Sequence, residues 1–300
     1  MGEPLFPFYD LPLYRPPSES CSLIIQAAIG CSFNRCSFCS MYKSKTFRAR
    51  PLAEVQADIA AAARMRPQTQ RVFLADGDAL CLPTEHLAAI LEALRQAFPR
   101  LERISSYATP IDLNRKPEAE LRRLRGGGLT LAYLGVESGS AVVLARIRKG
   151  TSAETIASGI ARARAAGMAV SATVILGLGG RTLWREHIDD TAGLINRAPP
   201  DYLSTLQLRL EDGSESEFLA RFERGGKAFV WQDDEGILAE QERLIMALDP
   251  ARPIIFRSNH ASNCLPLAGV LPDDRAKLLA LIARARSGAP MLRPEPLRGL

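Results

Sequence analysis

The chain alternates between short apolar segments and longer amphipathic segments over residues 22–210. The apolar segments predict six strands, at 22–29, 71–75, 103–108, 129–136, 168–176 and 201–210. The amphipathic segments predict helices at 51–65, from Thr84 onward, and at 117–125, 151–167 and 182–196. Thr84 is expected to cap its helix, and Gly126 to close the helix at 117–125. Strands and helices in this order predict an α/β fold with a parallel sheet, either a barrel or a doubly wound sheet.

Three regions follow from the pattern. Residues 1–20 carry five prolines and little periodicity, which predicts an N-terminal extended arm. Residues 21–212 hold the strand–helix units and form the predicted core. Residues 213–300 are less regular and predict a C-terminal α/β extension, with helices at 233–248 and 273–286 and a short strand at 253–258.

Charge and hydropathy argue against a membrane or DNA partner and favour a cytoplasmic location. No apolar run approaches the roughly 18 residues of a membrane helix, so no membrane partner is expected. The first residues lack the basic and apolar regions of a secretory signal, which predicts a cytoplasmic protein with reduced thiols. The formal charge of +5 is small for 300 residues, and no aromatic-rich basic segment predicts binding to DNA.

Residues 30–43, GCSFNRCSFCSMYK, bring Cys31, Cys36 and Cys39 together directly after the first predicted strand. Ligand sites in parallel folds gather at that end of the strands. The thiols predict a metal site of one of two kinds. A structural zinc would need a fourth ligand from a distant part of the chain. A [4Fe–4S] cluster held by three thiolates would leave its fourth iron open. Residue chemistry alone leaves both alternatives open.

The same segment resembles the cluster loop of the radical S-adenosylmethionine (radical SAM) superfamily. The usual family pattern is C-x3-C-x2-C, whereas this chain has C-x4-C-x2-C, and Phe38 before the last cysteine also fits the family. The resemblance is to small stand-alone members of the group that includes the Elongator catalytic subunit, MiaB and NifB. It implies a partial (β/α)6 TIM-like barrel, with Cys31, Cys36 and Cys39 as the metal-binding and catalytic residues.

Three further motifs carry the resemblance, each after a predicted strand. The segment Asp76-Gly77-Asp78 stands in place of the family's glycine-rich acidic motif, which receives the SAM amino group. The segment GVESGS, residues 135–140, implies a ribose contact, and VILGLGG, residues 174–180, implies an adenine contact. The cofactor-binding residues implied in this way, together with Phe38, are Asp76, Gly77, Asp78, Glu137, Ser138, Arg148, Leu176 and Gly177. Lys149 is an alternative to Arg148 as the partner of the SAM carboxylate.

The resemblance implies an enzyme whose [4Fe–4S] cluster reductively cleaves SAM to a 5′-deoxyadenosyl radical, which abstracts hydrogen from a substrate. The implied partners are a small-molecule or peptide substrate and an electron donor such as flavodoxin or ferredoxin. Candidate substrate residues are Tyr42, Arg48, Tyr107, His260 and Asn263. The alternatives are an iron–sulfur electron-transfer or sensor protein without SAM turnover, and a zinc-binding structural module. Cys21, Cys81 and Cys264 have no role assigned from the sequence.

Overall fold

The structure is a computed structural model that describes residues 9–211, 213–226, 228–288 and 291–299, so residues 1–8 of the predicted arm lie outside the described residues. The described strands are β1 (Leu23–Gln26), β2 (Ala28–Ile29), β3 (Arg48–Ala49), β4 (Arg71–Ala75), β5 (Arg103–Ala108), β6 (Leu129–Glu137), β7 (Ala169–Leu176), β8 (Tyr202–Gln207), β9 (Ile254–Ser258) and β10 (Leu267–Leu271). The described helices are α1 (Leu52–Met65), α2 (Thr84–Ala97), α3 (Pro110–Arg115), α4 (Glu118–Gly126), α5 (Ala141–Arg146), α6 (Ala153–Ala165), α7 (Gly180–Arg197), α8 (Glu215–Glu223), α9 (Asp234–Ala247) and α10 (Arg275–Arg286).

Eight strands form one sheet in the order β1-β4-β5-β6-β7-β8-β9-β10. Successive strands pair in parallel from β1 through β4 and β5 to β6, and from β7 through β8 to β9. Strand β10 turns back and pairs antiparallel with β9. The predicted α/β fold with a mostly parallel sheet is confirmed, and the strand order is open at β1 and β10.

The first predicted strand is interrupted at Ala27, where the chain leaves the main sheet. Residues Ala28 and Ile29 form β2 and pair antiparallel with Ala49 and Arg48 of β3. The backbone is also joined here by a hydrogen bond from Arg50 N–H to the Ala27 carbonyl, at 3.2 Å. This short pair brings both ends of the cysteine-bearing segment to the carboxyl end of β1.

Two predicted helix boundaries are wrong. Helix α2 begins at Thr84 itself, and its N-cap residue is Pro83. The Thr84 hydroxyl donates to Glu120 and accepts from Lys116 Nζ at 3.1 Å, and it makes no capping hydrogen bond. Helix α4 includes Gly126, and Gly127 is its C-cap residue, with its N–H donating to the Arg123 carbonyl at 2.9 Å.

The chain divides into two compact units. The first consists of Met1–Asn34, Met41–Leu134 and Arg162–Val170. Its strands β1, β4 and β5 are almost entirely buried, as expected for parallel strands covered on both faces. On one face, the rings of Phe73 and Tyr107 pack edge to face with centroids 5.0 Å apart, beside Tyr133. Helices α1 and α2 contact each other and bury apolar stripes headed by Val55 and Leu87.

The arm is bonded to the strands of this first unit. Tyr9 Oη donates to the Ile24 carbonyl at 3.0 Å. The backbone of Asp10 exchanges two hydrogen bonds with the Gln26 side-chain amide, at 2.9 and 3.0 Å. Tyr133 Oη donates to the fully buried carboxylate of Glu19 at 2.6 Å. Residues 9–19 therefore close the same face of the sheet on which the aromatic rings lie.

The second unit consists of Arg35–Ser40, Gly135–Ala161 and Ser171–Leu300. In it, β8 pairs in register with β7 from Ser171–Tyr202 to Leu176–Gln207. Helix α9 contacts both α7 and α10. Strand β10 and helix α8 lie in the irregular tail, where the sequence pattern did not predict them. Across the described residues, none of the helices combines the length and apolarity that crossing a membrane requires.

Candidate functional site

The cysteine segment begins at the end of β2. Gly30 adopts a left-handed φ of 75°, which turns the chain away from the strand at low cost because glycine has no Cβ. The N–H of Cys39 donates to the Cys36 carbonyl at 3.4 Å, and the N–H of Ser37 donates to the Ile147 carbonyl at 2.9 Å. The last two cysteines therefore belong to one tight turn, which is anchored to the chain just after α5.

All three cysteines are partly exposed. No three His, Cys, Asp or Glu side chains in the described part of the chain are grouped to hold a single metal ion. Each thiolate of a [4Fe–4S] cluster binds a different iron, so such a cluster does not require its ligands to meet at one point. The chemistry of the donors therefore fits a cluster.

A buried ion pair lies beside the turn of Cys36 and Cys39. Lys149 Nζ donates to Glu137 Oε1 at 2.9 Å and lies 6.0 Å from the centre of the Phe38 ring. Burial opposes the charged form of Lys149, but the negative charges of Glu137, Cys36 and Cys39 outweigh it and raise the pKa of the ammonium. A cation is therefore held next to two of the thiols.

The backbone leaves room for this pair at Gly135. A Cβ there would overlap the Glu137 carboxylate and lie 2.8 Å from Lys149 Nζ. Two residues near the pair adopt left-handed φ values without being glycine, Glu137 at 62° and Arg148 at 52°. Such conformations cost about 1–3 kcal/mol each and are found where surrounding structure imposes them, frequently at functional sites. Arg148 lies next to the ion pair in the sequence, whereas the paired cation is Lys149.

Asp76 is the first acidic residue after β4, and both oxygens of its carboxylate accept hydrogen bonds from residues of the first unit. It is fully buried. Its Oδ1 accepts from Gln26 Nε2, and its Oδ2 accepts from the Gly30 N–H and from Lys45 Nζ, all at 2.9 Å. Asp76 therefore joins β1, the start of the cysteine segment and its end.

Gly77 lies against the first cysteine. A Cβ at this position would lie 2.5 Å from Cε2 of Tyr42 and 3.1 Å from Cβ of Cys31. Tyr42 is itself buried. The motif after β4 thus approaches Cys31 closely, and only glycine allows this approach.

Asp78 is also fully buried, but its carboxyl is differently placed. One oxygen accepts from the Ser32 hydroxyl, next to Cys31. The other, Oδ1, has no hydrogen-bond partner within the described residues. Burial, and then the nearby carboxyl of Asp112, raises the pKa of Asp78 to about 8. The protein alone therefore favours the protonated form of Asp78, and the buried Oδ1 atom has no hydrogen-bond partner within the described residues.

Cys81 follows this motif. Its thiol donates to the Asp78 carbonyl at 2.9 Å. Burial, helped by the charges of Asp78 and Asp112, raises the pKa of Cys81 to about 12. It is therefore a protonated structural thiol, as is the fully buried Cys264, whose pKa burial raises to about 11.

Ser138 is bonded to a buried histidine. His187 Nε2 lies 2.9 Å from the Ile175 carbonyl, which can only accept, so Nε2 carries the proton. His187 Nδ1 is then an acceptor for the Ser138 hydroxyl, at 2.8 Å. Burial lowers the pKa of His187 to about 4, so the ring is neutral. The pair joins the end of β6 to β7 and α7.

Leu176 and Gly177 end β7. Leu176 is buried, and its carbonyl accepts from the Leu208 N–H at 2.9 Å. Gly177 has a left-handed φ of 80°, and its N–H donates at 2.6 Å to the carboxylate of Glu240 in α9. The backbone of this turn is thus fixed from the tail of the chain.

Asn263 and His260 lie in the segment after β9. Asn263 is buried and bonds Thr205 and Gln207 of β8 and Ser258 of β9 at 2.7–2.8 Å. These bonds tie two strand ends together. The Ser262 N–H donates to His260 Nδ1 at 3.1 Å, and the Ser262 hydroxyl oxygen lies 2.9 Å from the same nitrogen. Burial and the nearby Arg293 lower the pKa of His260.

Two predicted substrate residues remain. Arg48 in β3 is 55% exposed and lies 3.8 Å from the carboxylate of Asp10. Tyr107 in β5 packs against Phe73 and Tyr133 on the face that the arm closes.

Sequence reasoning missed Lys45, Asp112 and Glu240. Lys45 is buried at the end of the cysteine segment, and only its bond to Asp76 reveals its function. Glu240 could have been found, because it lies on the apolar face of α9 between Ile237 and Leu244. An acidic residue at a core position indicates a buried polar partner.

Comparison with known proteins assigns the family. A family model described as the radical SAM superfamily matches residues 25–195. No curated protein matches the chain at a significant level.

Solved structures show the same fold at low identity. Coproporphyrinogen III oxidase (HemN) from Escherichia coli, described as a radical SAM enzyme, has a TM-score of 0.56 and 20% identity, covering 75% of this chain and 52% of its own. The radical SAM methyltransferase TsrM from Kitasatospora setae, with cobalamin and a [4Fe–4S] cluster bound, has a TM-score of 0.56 and 18% identity, covering 89% and 61%. Methylornithine synthase (PylB) has a TM-score of 0.55 and 13% identity, covering 87% and 68%. This chain therefore spans less than two thirds of the length of the first two.

Proposed function

The chain belongs to the radical SAM superfamily of enzymes, whose members use a [4Fe–4S] cluster and S-adenosylmethionine, and we propose that it cleaves SAM reductively to act on a substrate. The observation that carries the proposal is the three-thiol segment, with Gly77 packed against Cys31 and Lys149 held beside Cys36 and Cys39.

Cys31, Cys36 and Cys39 would bind the cluster. A cluster held by these cysteines would supply the electron for reductive cleavage of SAM and, through the resulting 5′-deoxyadenosyl group, the chemistry for abstracting hydrogen from a substrate. Tyr42, buried against Gly77, and the arm exclude water from this side of the first unit.

Asp78 is our candidate for the SAM amino group, and Asp76 is the residue that supports it. The Asp76 oxygens already accept three hydrogen bonds from protein groups. Asp78 Oδ1 is a buried acceptor with no partner in the described residues. An ammonium group beside it would favour the carboxylate form and make a charge-assisted hydrogen bond.

Lys149, rather than Arg148, is our candidate for the SAM carboxylate. Its side chain is 13% exposed and lies beside the cluster turn, and its ammonium has three donors, of which Glu137 takes one. Glu137 would then orient Lys149, with its second oxygen available for the SAM ribose. Ser138 already bonds His187, and we assign it to support of β6.

The substrate is proposed to be a small molecule or a peptide, and the reductant a flavodoxin- or ferredoxin-type donor in the cytoplasm. His260 is the tail residue we propose for the substrate side, because Ser262 fixes its ring. Asn263 is reassigned to joining β8 and β9.

Anaerobic reconstitution with iron and sulfide tests the proposal. We expect about four irons and four sulfides per chain, and release of 5′-deoxyadenosine from SAM with dithionite. Cys36→Ala should lose both, whereas Cys21→Ser, at an exposed cysteine outside the segment, should keep both. One zinc without sulfide would support a structural metal module instead. A cluster unaffected by SAM would support an electron-transfer or sensor protein.

A further inference from the structure

The turn after β7 is held by a segment of the chain beyond the family match, which ends at residue 195. At one end of the turn, Gly177 N–H donates to Glu240 Oε2 at 2.6 Å. At the other end, Arg181 N–H donates to the Val230 carbonyl at 2.8 Å. The Arg181 guanidinium also bonds the Trp231 carbonyl at 3.0 Å and the Asp233 carboxylate at 2.6 Å. Residues 229–240 therefore fix both ends of the segment 177–181.

Glu240 is the buried part of this support. Its side chain is fully buried, and its two oxygens have separate donors, Gly177 N–H and Gln232 Nε2 at 3.0 Å. Burial raises the pKa of Glu240 to about 7, although both hydrogen bonds oppose the increase. A leucine would fit the apolar face of α9 without any burial cost for a charged group. The hydrogen bond from the Gly177 N–H therefore explains why a carboxylate occupies this buried position.

The helix also sets the space that the turn occupies. A Cβ at Gly177 would lie 3.0 Å from Cδ1 of Ile237, one turn of α9 before Glu240. A Cβ at Gly180 would lie 2.8 Å from the Val230 carbonyl oxygen. Both glycines have left-handed φ values, 80° and 55°. The path of the backbone between them is thus determined by contacts from residues 229–240.

We propose that Glu240 is a positioning residue for the SAM adenosine, which acts by holding the Gly177 N–H and thereby the backbone of residues 177–181. The inference rests on the proposed function and on the adenine contact that the family resemblance implies for residues 174–180. It assigns to the predicted C-terminal extension a part in binding the cofactor.

The test compares Glu240→Leu with Glu240→Gln in the reconstituted protein. Calorimetry measures the affinity for SAM and for 5′-methylthioadenosine, which keeps the adenosine but lacks the amino acid. The leucine leaves the Gly177 N–H without its acceptor, and we expect both affinities to fall about tenfold. The glutamine can accept from Gly177, and the Gln232 amide can rotate to accept from it, so the affinities should return to within about threefold of wild type.

A spectroscopic measurement separates positioning from general damage. At saturating SAM, the electron paramagnetic resonance spectrum of the reduced cluster should be the same in Glu240→Leu as in wild type. The SAM concentration that gives half of the spectral change should be about tenfold higher in Glu240→Leu. Equal affinities in wild type and Glu240→Leu would overturn the inference. So would equal losses in the leucine and glutamine variants.

If Glu240→Leu does not fold, Gln232→Leu provides the second test. It removes the donor that orients the Glu240 carboxylate, and we expect about a threefold loss for 5′-methylthioadenosine. An unchanged affinity would overturn the inference. Failure of wild type itself to bind SAM would instead overturn the proposed function, so the two failures are distinguishable.

Discussion

The ammonium of Lys45 lies 2.9 Å from the carboxylate of Asp76, and both side chains are almost completely buried, with 3% and 0% of their surface exposed. The same ammonium bonds the Asp10 carbonyl in the arm, and the same carboxylate accepts from Gly30 at the start of the cysteine segment. One ion pair therefore joins the arm, the strand end and the segment that carries Cys31.

Removal of the Asp76 carboxylate should strongly destabilise the protein. Asp76→Ala leaves the buried Lys45 ammonium with only the more distant, partly exposed Asp10 carboxylate and leaves the Gly30 N–H without its acceptor, at a cost of about 3–5 kcal/mol. Urea unfolding followed by circular dichroism measures the change. Asp10→Asn is the matched control, because that side chain is 42% exposed and lies 3.6 Å from Lys45. It should cost less than about 1 kcal/mol. A similar cost for both variants would contradict this account of Asp76.

Asp78→Asn should lower the affinity for SAM while leaving the stability of the fold nearly unchanged. Burial already raises the pKa of Asp78 to about 8, so the folded protein alone holds a neutral carboxyl that an amide resembles. We expect the midpoint of unfolding to change little, while SAM affinity falls by about tenfold or more because the charged acceptor for the ammonium is lost. Calorimetry with SAM measures the affinity. Unchanged SAM binding would return the amino-group role to Asp76.

Gly77→Ala should impair cluster assembly through a steric clash. The new Cβ would lie 2.5 Å from the Tyr42 ring and 3.1 Å from Cys31, and overpacking of this kind costs about 1–3 kcal/mol. The iron bound per chain after reconstitution measures the effect. The double variant Gly77→Ala with Tyr42→Leu removes the closest ring atoms and should regain iron. Failure to regain iron would show that the contact with Cys31 dominates.

Lys149→Met should weaken both the fold and SAM binding. It leaves Glu137 buried without its cation, and broken buried pairs cost about 3–5 kcal/mol. Adding Glu137→Gln removes the unpaired charge and should restore much of the stability. SAM affinity should remain low in the double variant, because the proposed carboxylate partner is still absent. Full recovery of SAM affinity in the double variant would show that Lys149 and Glu137 only stabilise the fold.

Stability should decrease in acid because of His187. Its pKa is about 4 in the folded protein and 6.5 as the ordinary value, so the unfolded chain binds the proton first as pH falls. The contribution is complete above pH 6.5 and is lost progressively toward pH 4, reaching about 3 kcal/mol. His187→Gln keeps a donor for Ile175 and an acceptor for Ser138. Urea unfolding between pH 7 and 5 should show a smaller loss in this variant than in wild type.

The strand pattern and the cysteine spacing predicted much of the fold and the family. The predicted strands at 103–108 and 129–136 agree with β5 and β6 to within one residue, and most residues of both strands are buried. The break at Ala27 was not predicted, since β2 departs only to pair with β3, which is distant in sequence. Strand β10 was missed because it depends on its partner β9.

Residue roles were harder to predict than residue positions. Asp76 and Asp78 are two residues apart in one motif, and the sequence cannot show which carboxylate is already filled. The distinction comes from Gln26, Gly30 and Lys45, brought to Asp76 from either side of the cysteines. Likewise, the polar tail motif predicts substrate binding by Asn263, and the sequence could not show that this side chain also bonds β8 and β9.

Because the Gly30 N–H donates to Asp76, deuterium exchange of this amide should report whether the arm is bound. Because Lys45 connects Asp76 to the Asp10 carbonyl, the Gly30 N–H stays protected from deuterium while the arm is seated. We expect opening of residues 9–20 to loosen the carboxylate and to speed exchange at that amide. Deuterium uptake at Gly30 should then report motion of a segment ten to twenty-one residues earlier in the chain.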